Sequence, residues 1–212
     1  AKNKLKKIKS FSKNTILNFA SNIAITFVMQ LFFMPFLSDS FTVSDFGNII
    51  FTLGVLNLIT AIFSASMSNY RLKLGRDIDD SKSLNDFFIL FLMALIVALP
   101  IAIIVTFLAD IFNELFLLYC ALLMFRVFGT SFLRLKLDYN SIAVISFLLA
   151  GTILFASWFS ESDLNSKNWP LLLIIPEVFA SIYLNFKIKI FSIKRFREVS
   201  NINILRKTLR MH

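Results

Sequence analysis

The order of apolar and polar positions divides the chain into long apolar runs that are separated by short charged segments. Six runs are long enough for a membrane-spanning helix, since about 20 residues rising about 1.5 Å each cross a hydrocarbon core about 30 Å thick. The predicted spans are residues 15–37, 46–68, 86–109, 112–133, 140–160 and 169–190. The pattern therefore predicts an all-α integral membrane protein whose six transmembrane helices form one bundle, residues 15–190.

The first two spans predict a membrane hairpin. The first apolar run ends at Pro35 and a short turn that contains Asp39 and Asp45. No lysine or arginine occurs between Lys13 and Arg71, a gap too long and too apolar for the surface of a soluble protein. The hairpin is the part of the chain around which the other spans are organised.

Composition supports a membrane environment. The chain is 57% hydrophobic and 17% charged, whereas about a quarter of the residues in a soluble domain are charged. The net charge of +9 could indicate a nucleic-acid partner. The basic residues lie between apolar spans and not along one groove, which argues against that partner. We therefore expect membrane lipid to surround much of the protein.

The basic residues lie on alternate sides of the predicted spans. Of the 22 lysines and arginines, 21 fall in the segments 1–14, 69–85, 126–138 and 187–212. The intervening turns 38–45, 109–114 and 160–168 hold only Lys167. Because cytoplasmic loops carry the excess of basic residues, both chain ends are expected in the cytoplasm. Residues 1–14 are then a basic arm, and residues 191–212 a basic tail or linker.

Amide side chains interrupt the apolar character of the first two spans. Asn18, Asn22 and Gln30 occur in the first span, and Asn57 occurs in the second. Polar groups inside a membrane need a partner or a water path. These amides are candidates either for hydrogen bonds between helices or for the lining of a polar cavity.

Three charged residues are further candidates. Arg126 lies in the fourth apolar run, where it either reaches the nearby cytoplasmic boundary or faces inward to hold a phosphate group. Glu177 follows Pro176 in the sixth span and is a candidate for pairing with a cation or for ion coupling. Arg71 closes the second span and could contact an anionic ligand or anionic lipid.

The sequence shows no catalytic or metal-binding pattern. The single histidine, His212, is the last residue, and the single cysteine, Cys120, lies inside an apolar run. No phosphate-binding glycine loop and no Ser/His/Asp set is present. We therefore expect no enzymatic activity, no metal and no cofactor.

The first hairpin resembles that of the polysaccharide flippases, which carry O-antigen or capsule repeat units. The resemblance rests on Met34–Leu37 at the end of the first span and Ser44–Gly47 at the start of the second. The segment Ser64–Arg71 is similar to the family's small-residue segment with a terminal arginine. Arg134–Asn140 is similar to its basic and aromatic inner loop. These flippases belong to the multidrug/oligosaccharidyl-lipid/polysaccharide exporter superfamily.

The resemblance implies an alternating-access carrier in the bacterial plasma membrane. Such a carrier moves an oligosaccharide linked to undecaprenyl diphosphate from the inner to the outer leaflet. Family members have two six-helix lobes, so this chain resembles an amino-terminal lobe that pairs with a second one. The polar faces of the first two spans would line the path, and Arg71 and Arg126 would attract the diphosphate.

Two other functions remain open from the sequence. A drug or cation antiporter of the same superfamily would usually have a carboxylate in the first span, where this chain has only amides. A membrane scaffold of the polysaccharide machinery, without transport of its own, would need no substrate path.

Overall fold

The computed structural model describes residues 2–66, 68–69, 80–108, 113–159 and 168–188. Within these ranges, the side chains of residues 2–11 and 80–87 are not described. All regular structure in this part of the chain is helical. Arg71 and the predicted tail 191–212 lie outside the described residues.

The first span is one long helical rod with a wider turn inside it. Helix α1 (Lys2–Val28) continues into a π-helical turn, Met29–Phe33, and then into α2 (Met34–Ser40). Pro35 does not end the helix. It lacks the N–H group that would bond the carbonyl four residues earlier, and the wider turn lies directly before it. The predicted basic arm is continuous with the first span.

The second span begins with Thr42 as its N-cap residue. The Thr42 hydroxyl donates a hydrogen bond to the Asp45 carboxylate (2.8 Å) and accepts one from the Asp45 N–H (3.2 Å). The second of these bonds satisfies a helix-end N–H group that would otherwise be unpaired. Helix α3 (Val43–Thr60) follows and passes into a second π-helical turn, Ala61–Ala65.

Four further helices complete the described bundle. They are α4 (Asp80–Leu108), α5 (Glu114–Leu135), α6 (Tyr139–Phe159) and α7 (Leu171–Ile188). The six stretches that are long and apolar enough to cross a membrane are Ser12–Ser40, Val43–Ala65, Phe88–Leu108, Glu114–Leu135, Tyr139–Phe159 and Leu171–Ile188. Each stretch coincides with one predicted span over most of its length, whereas α1 and α4 begin at Lys2 and Asp80, well before the predicted starts at residues 15 and 86. The part of the chain that the structure describes is thus all-helical, and its six apolar stretches indicate a multi-pass membrane protein.

The helices pack so that the two arms of the first hairpin diverge. Helix α1 lies along α6, while α3 packs against α4 and α5. Beyond the turn that joins them, the described residues of α1 and α3 make no extensive contact with each other. A crevice therefore separates the two arms, and α5 and α7 pack together at its base.

Helix α4 closes the other side of the bundle with a surface of small residues. Ala94, Ala98 and Ala102 recur every fourth position and are buried, which lets the neighbouring backbones approach closely. Phe91 of the same helix makes edge contacts with Phe125 and Phe128 of α5, with ring centroids 5.6 and 5.5 Å apart. These contacts hold α5 in place beneath the crevice.

Candidate functional site: an ion pair at a membrane cavity

Helices α5 and α7 approach closely at a glycine. A methyl group placed on Gly129 would lie 3.0 Å from two side-chain carbons of Leu184. The sequence has no Gly-x-x-x-Gly motif of the kind that brings membrane helices together. Here the single residue Gly129 allows α5 and α7 to approach each other. This contact lies one turn beyond Arg126 on α5 and two turns beyond Glu177 on α7, so the two helices are already close where these charged residues lie.

The close approach brings two charges together in the middle of the bundle. Nε of Arg126 donates to both carboxylate oxygens of Glu177, each at 2.9 Å. The side chain of Glu177 is 5% exposed and that of Arg126 is 22% exposed. Of the two possibilities open for Glu177, pairing with a cation is present in this structure.

Arg126 lies deep within its helix. It follows Glu114 by twelve residues and precedes Leu135 by nine, which places it about 18 Å and about 13 Å from the two ends of α5. Its side chain is directed to a partner on α7 and not to the nearer boundary. The interpretation of Arg126 as a residue reaching the cytoplasmic surface is therefore wrong. A charge at this depth is tolerated because Glu177 neutralises it.

The ion pair borders a cavity of about 220 Å³ at the base of the crevice. Residues from five of the six spans line it, and α4 contributes none. The lining is apolar except for four side chains, and these are Asn57, Tyr119, Arg126 and Glu177. Asn57 is also exposed, so it marks the mouth of the cavity on the side of α3.

Tyr119 is the site residue that the sequence analysis missed. It precedes Arg126 by seven residues on α5, so both side chains lie on one face of the helix. Its side chain is almost fully buried and lines the cavity, within electrostatic reach of Glu177 and Arg126. The spacing of seven from an arginine inside a membrane span was the available signal for it.

Several donors at the cavity have no protein partner. The hydrogen bonds of Arg126 within the described part of the chain all use Nε, which leaves its two terminal nitrogens, Nη1 and Nη2, without one. The Tyr119 hydroxyl likewise has no hydrogen-bond partner among the described residues. These donors are not among the side-chain atoms that are both buried and unpartnered, so they are open to the cavity and can bond to whatever fills it.

The amides of the first span lie elsewhere. Asn22 and Gln30 are exposed on the outside of the bundle, together with Thr26 between them. Asn18 is half-buried, and its side-chain oxygen is buried without a hydrogen-bond partner in the described structure. The structure thus brings Asn57, Arg126 and Glu177 to one cavity but does not bring Asn18, Asn22 or Gln30 to it.

The described side chains contain no group of three or more histidine, cysteine, aspartate or glutamate residues that could hold a metal ion. Comparisons with models of protein families, with curated proteins and with solved structures found no match to this chain.

Proposed function

We propose that this chain is one lobe of a carrier that moves an oligosaccharide linked to undecaprenyl diphosphate from the inner to the outer leaflet of a bacterial plasma membrane. Both chain ends would face the cytoplasm, and a second six-helix lobe would close the path. The observation that carries the proposal is a polar stripe on the first span, consisting of Asn18, Asn22, Thr26 and Gln30.

The polar stripe follows one face of α1 and its π-helical continuation. Successive members are four residues apart, so each is a surface neighbour of the next, and the stripe turns gradually around the helix. Asn22, Thr26 and Gln30 are exposed in a span whose other exposed side chains are mostly large and apolar. Amides facing lipid would lack partners, so a water-filled path or a neighbouring chain is expected on this side.

The stripe suits a substrate with many hydroxyl groups. Amides both donate and accept hydrogen bonds, so successive amides along a path can exchange partners with the sugars that pass them. Asn57 lies at the mouth of the cavity that Arg126 also lines, so it adds a polar group between the first hairpin and Arg126. The resemblance of the hairpin sequence to the flippases supports the same substrate class. Arg71 keeps its expected role at the inner end of the path.

The proposal is tested in living cells, by replacing residues of the polar stripe in the full-length protein. Asn22→Leu with Gln30→Leu takes away two sets of hydrogen bonds worth about 1 kcal/mol each, so surface polysaccharide should fall roughly tenfold or more. Lipid-linked repeat units should accumulate in the inner leaflet. Ile23→Leu with Phe27→Leu is the matched control, since both positions are exposed on the same helix.

Undiminished surface polysaccharide in the stripe variant, at unchanged protein abundance, would contradict the proposal. If export fell only because the other proteins of the polysaccharide machinery no longer co-purified, the chain would be a scaffold. A fall in export with those partners retained supports a carrier.

A further inference from the structure

We propose that the end of the bundle at which α5 and α7 finish carries a binding surface for a membrane phospholipid with an anionic headgroup. Lys136 and Lys187, the lysine pair, bind the headgroup, and an exposed apolar face of α7 contacts an acyl chain. The leaflet in which this lipid lies rests on the proposed function, but the surface does not.

Helices α5 and α7 bring the lysine pair to the same side of the membrane. One span separates these two spans in the chain, so they cross in the same direction and end on the same side. The two helices touch where Gly129 faces Leu184. Lys136 follows that glycine by seven residues, and Lys187 follows that leucine by three. Both lysines therefore lie within about two turns of a point at which the helices meet.

Each member of the lysine pair lies over an aromatic ring one turn earlier on its own helix. Nζ of Lys136 is 4.8 Å from the centre of the Phe132 ring. Nζ of Lys187 is 5.8 Å from the centre of the Tyr183 ring. An aromatic ring attracts an ammonium group within about 6 Å of its centroid. Both lysines remain exposed, so the rings hold two cations at the edge of the apolar bundle without removing them from solvent.

Hydrogen bonds hold the three helix ends at this surface together. The Tyr183 hydroxyl donates to Oγ of Ser141 at 3.5 Å, which joins α7 to the start of α6. The Ser141 hydroxyl and N–H group donate to the carboxylate of Asp138 at 2.6 and 3.1 Å. Asp138 follows Lys136 by two residues, so these bonds connect the two helices that carry the lysine pair.

The described side chains give this end of the bundle a positive charge. The described cations here are Lys13, Arg134 and the lysine pair, and the described carboxylate is Asp138. Lys187 forms no ion pair with any described carboxylate. The surface therefore retains charge that an anionic headgroup balances. Each lysine near an anionic membrane surface strengthens binding roughly fivefold.

An apolar face of α7 continues from the lysine pair toward the middle of the membrane. It consists of Ile175, Phe179, Ile182 and Phe186, which are all exposed. Their spacing of four, three and four residues places them along one side of the helix. Phe186 directly precedes Lys187, so a lipid whose headgroup contacts this lysine has its acyl chains beside this face.

The combination of charge and apolar face favours a phospholipid over other anions. A soluble anion would contact the lysine pair but not the apolar face of α7. A nucleic acid or an acidic protein would remain outside the membrane and would likewise leave this face uncovered. A phospholipid with a neutral headgroup would cover the apolar face without balancing the charge. An anionic phospholipid does both.

Binding is measured on the purified protein in neutral detergent micelles, from the rise of the thermal unfolding midpoint with ligand concentration. Phosphatidylglycerol, phosphatidylcholine with the same acyl chains, and inorganic phosphate are added in separate arms. We expect phosphatidylglycerol to stabilise the protein more than either of the other compounds does. Equal stabilisation by the two lipids, stabilisation by inorganic phosphate as strong as that by phosphatidylglycerol, or no stabilisation at all would overturn the proposal.

Charge variants decide whether the lipid binds at the lysine pair. Lys136→Gln with Lys187→Gln should weaken the binding of phosphatidylglycerol roughly twentyfold, since each lysine contributes roughly fivefold. Lys13→Gln with Arg134→Gln is the matched control, because it removes the same charge from exposed residues at the same end of the bundle. Arg134 lies about 200° around α5 from Lys136, outside the proposed surface. The same loss of binding in both double variants would show that only the general charge matters, and the proposal would be wrong.

The lipid surface and the proposed function can fail separately, because binding in micelles does not depend on transport. Weaker binding of phosphatidylglycerol by the lysine-pair variant, together with undiminished surface polysaccharide in the stripe variant, would leave the lipid surface standing and remove the carrier role. Lost export in the stripe variant, with equal stabilisation of the protein by the two lipids, would do the reverse.

Discussion

The charge of Arg126 is balanced within the bundle by one carboxylate. Glu177 is its ion-pair partner among the described residues, and the two lie on different helices near the middle of their spans. In a low-dielectric surrounding, each charge is acceptable because the other is present. The pair therefore behaves as a unit, and the loss of one member has a different consequence from the loss of both.

Replacing Glu177 alone by leucine should lower the free energy of unfolding by about 3 kcal/mol, because Arg126 keeps a buried charge without a counter-charge. The double variant Arg126→Leu with Glu177→Leu should recover more than half of that loss. Unfolding in detergent, followed by circular dichroism, measures both values. A double variant that is less stable than Glu177→Leu alone would contradict this account.

At the scale of helices, the site depends on how closely α5 and α7 pack. Gly129 faces Leu184 without a side chain between them, and the ion pair forms one turn before Gly129 on α5 and two turns before Leu184 on α7. A hydrogen bond also joins the second π-helical turn to α5, because the Ser64 hydroxyl donates to the Met124 carbonyl at 3.0 Å. These contacts position α5 from two directions, and its polar residues face the cavity as a result.

Gly129→Leu should force α5 and α7 apart and lower the free energy of unfolding by about 2 kcal/mol, the usual cost of overpacking. Gly151→Leu on α6 is the control, because nothing lies within 4 Å of a methyl group added there. Both variants gain the same helix propensity, so the difference between their thermal unfolding midpoints reports the packing. Equal midpoints would show that the close approach is unimportant.

At the scale of the whole molecule, the bundle is asymmetric. Its described exposed surface is mainly apolar and suited to lipid, but the polar stripe and the mouth of the cavity interrupt it at the first hairpin. The crevice between α1 and α3 makes the interior of the bundle accessible on this side. A partner lobe placed against the hairpin would enclose the stripe, the crevice and the cavity in one path.

The topology predicts opposite sides for Asp39 and Lys136, because three spans separate these positions. In a Cys120→Ala background, an impermeant maleimide applied to intact cells should label Asp39→Cys. It should label Lys136→Cys only after the membrane has been permeabilised. Labelling of both positions in intact cells would disprove the topology and the carrier proposal that depends on it.

The sequence by itself determined that six stretches of the described chain can span a membrane. Hydropathy over about 20 residues is a local property, so these spans were predictable, although α1 and α4 begin at Lys2 and Asp80, before the predicted starts. The polar stripe was largely visible as well, because Asn18, Asn22 and Gln30 stand out in an apolar run. An amide in an apolar run is recognisable from its own residue type, although its cost in the membrane depends on the partners that the fold brings to it.

Only the tertiary structure decided which faces of these helices meet. Arg126 and Glu177 are 51 residues apart, and no local pattern pairs them. In a soluble protein, an apolar stripe would reveal the inner face of each helix. In a membrane both faces are apolar, so hydrophobic periodicity does not separate the faces that pack inside from those that contact lipid. The close packing at Gly129 and the divergence of α1 from α3 show which faces point inward. They also reveal the cavity and Tyr119 in its lining.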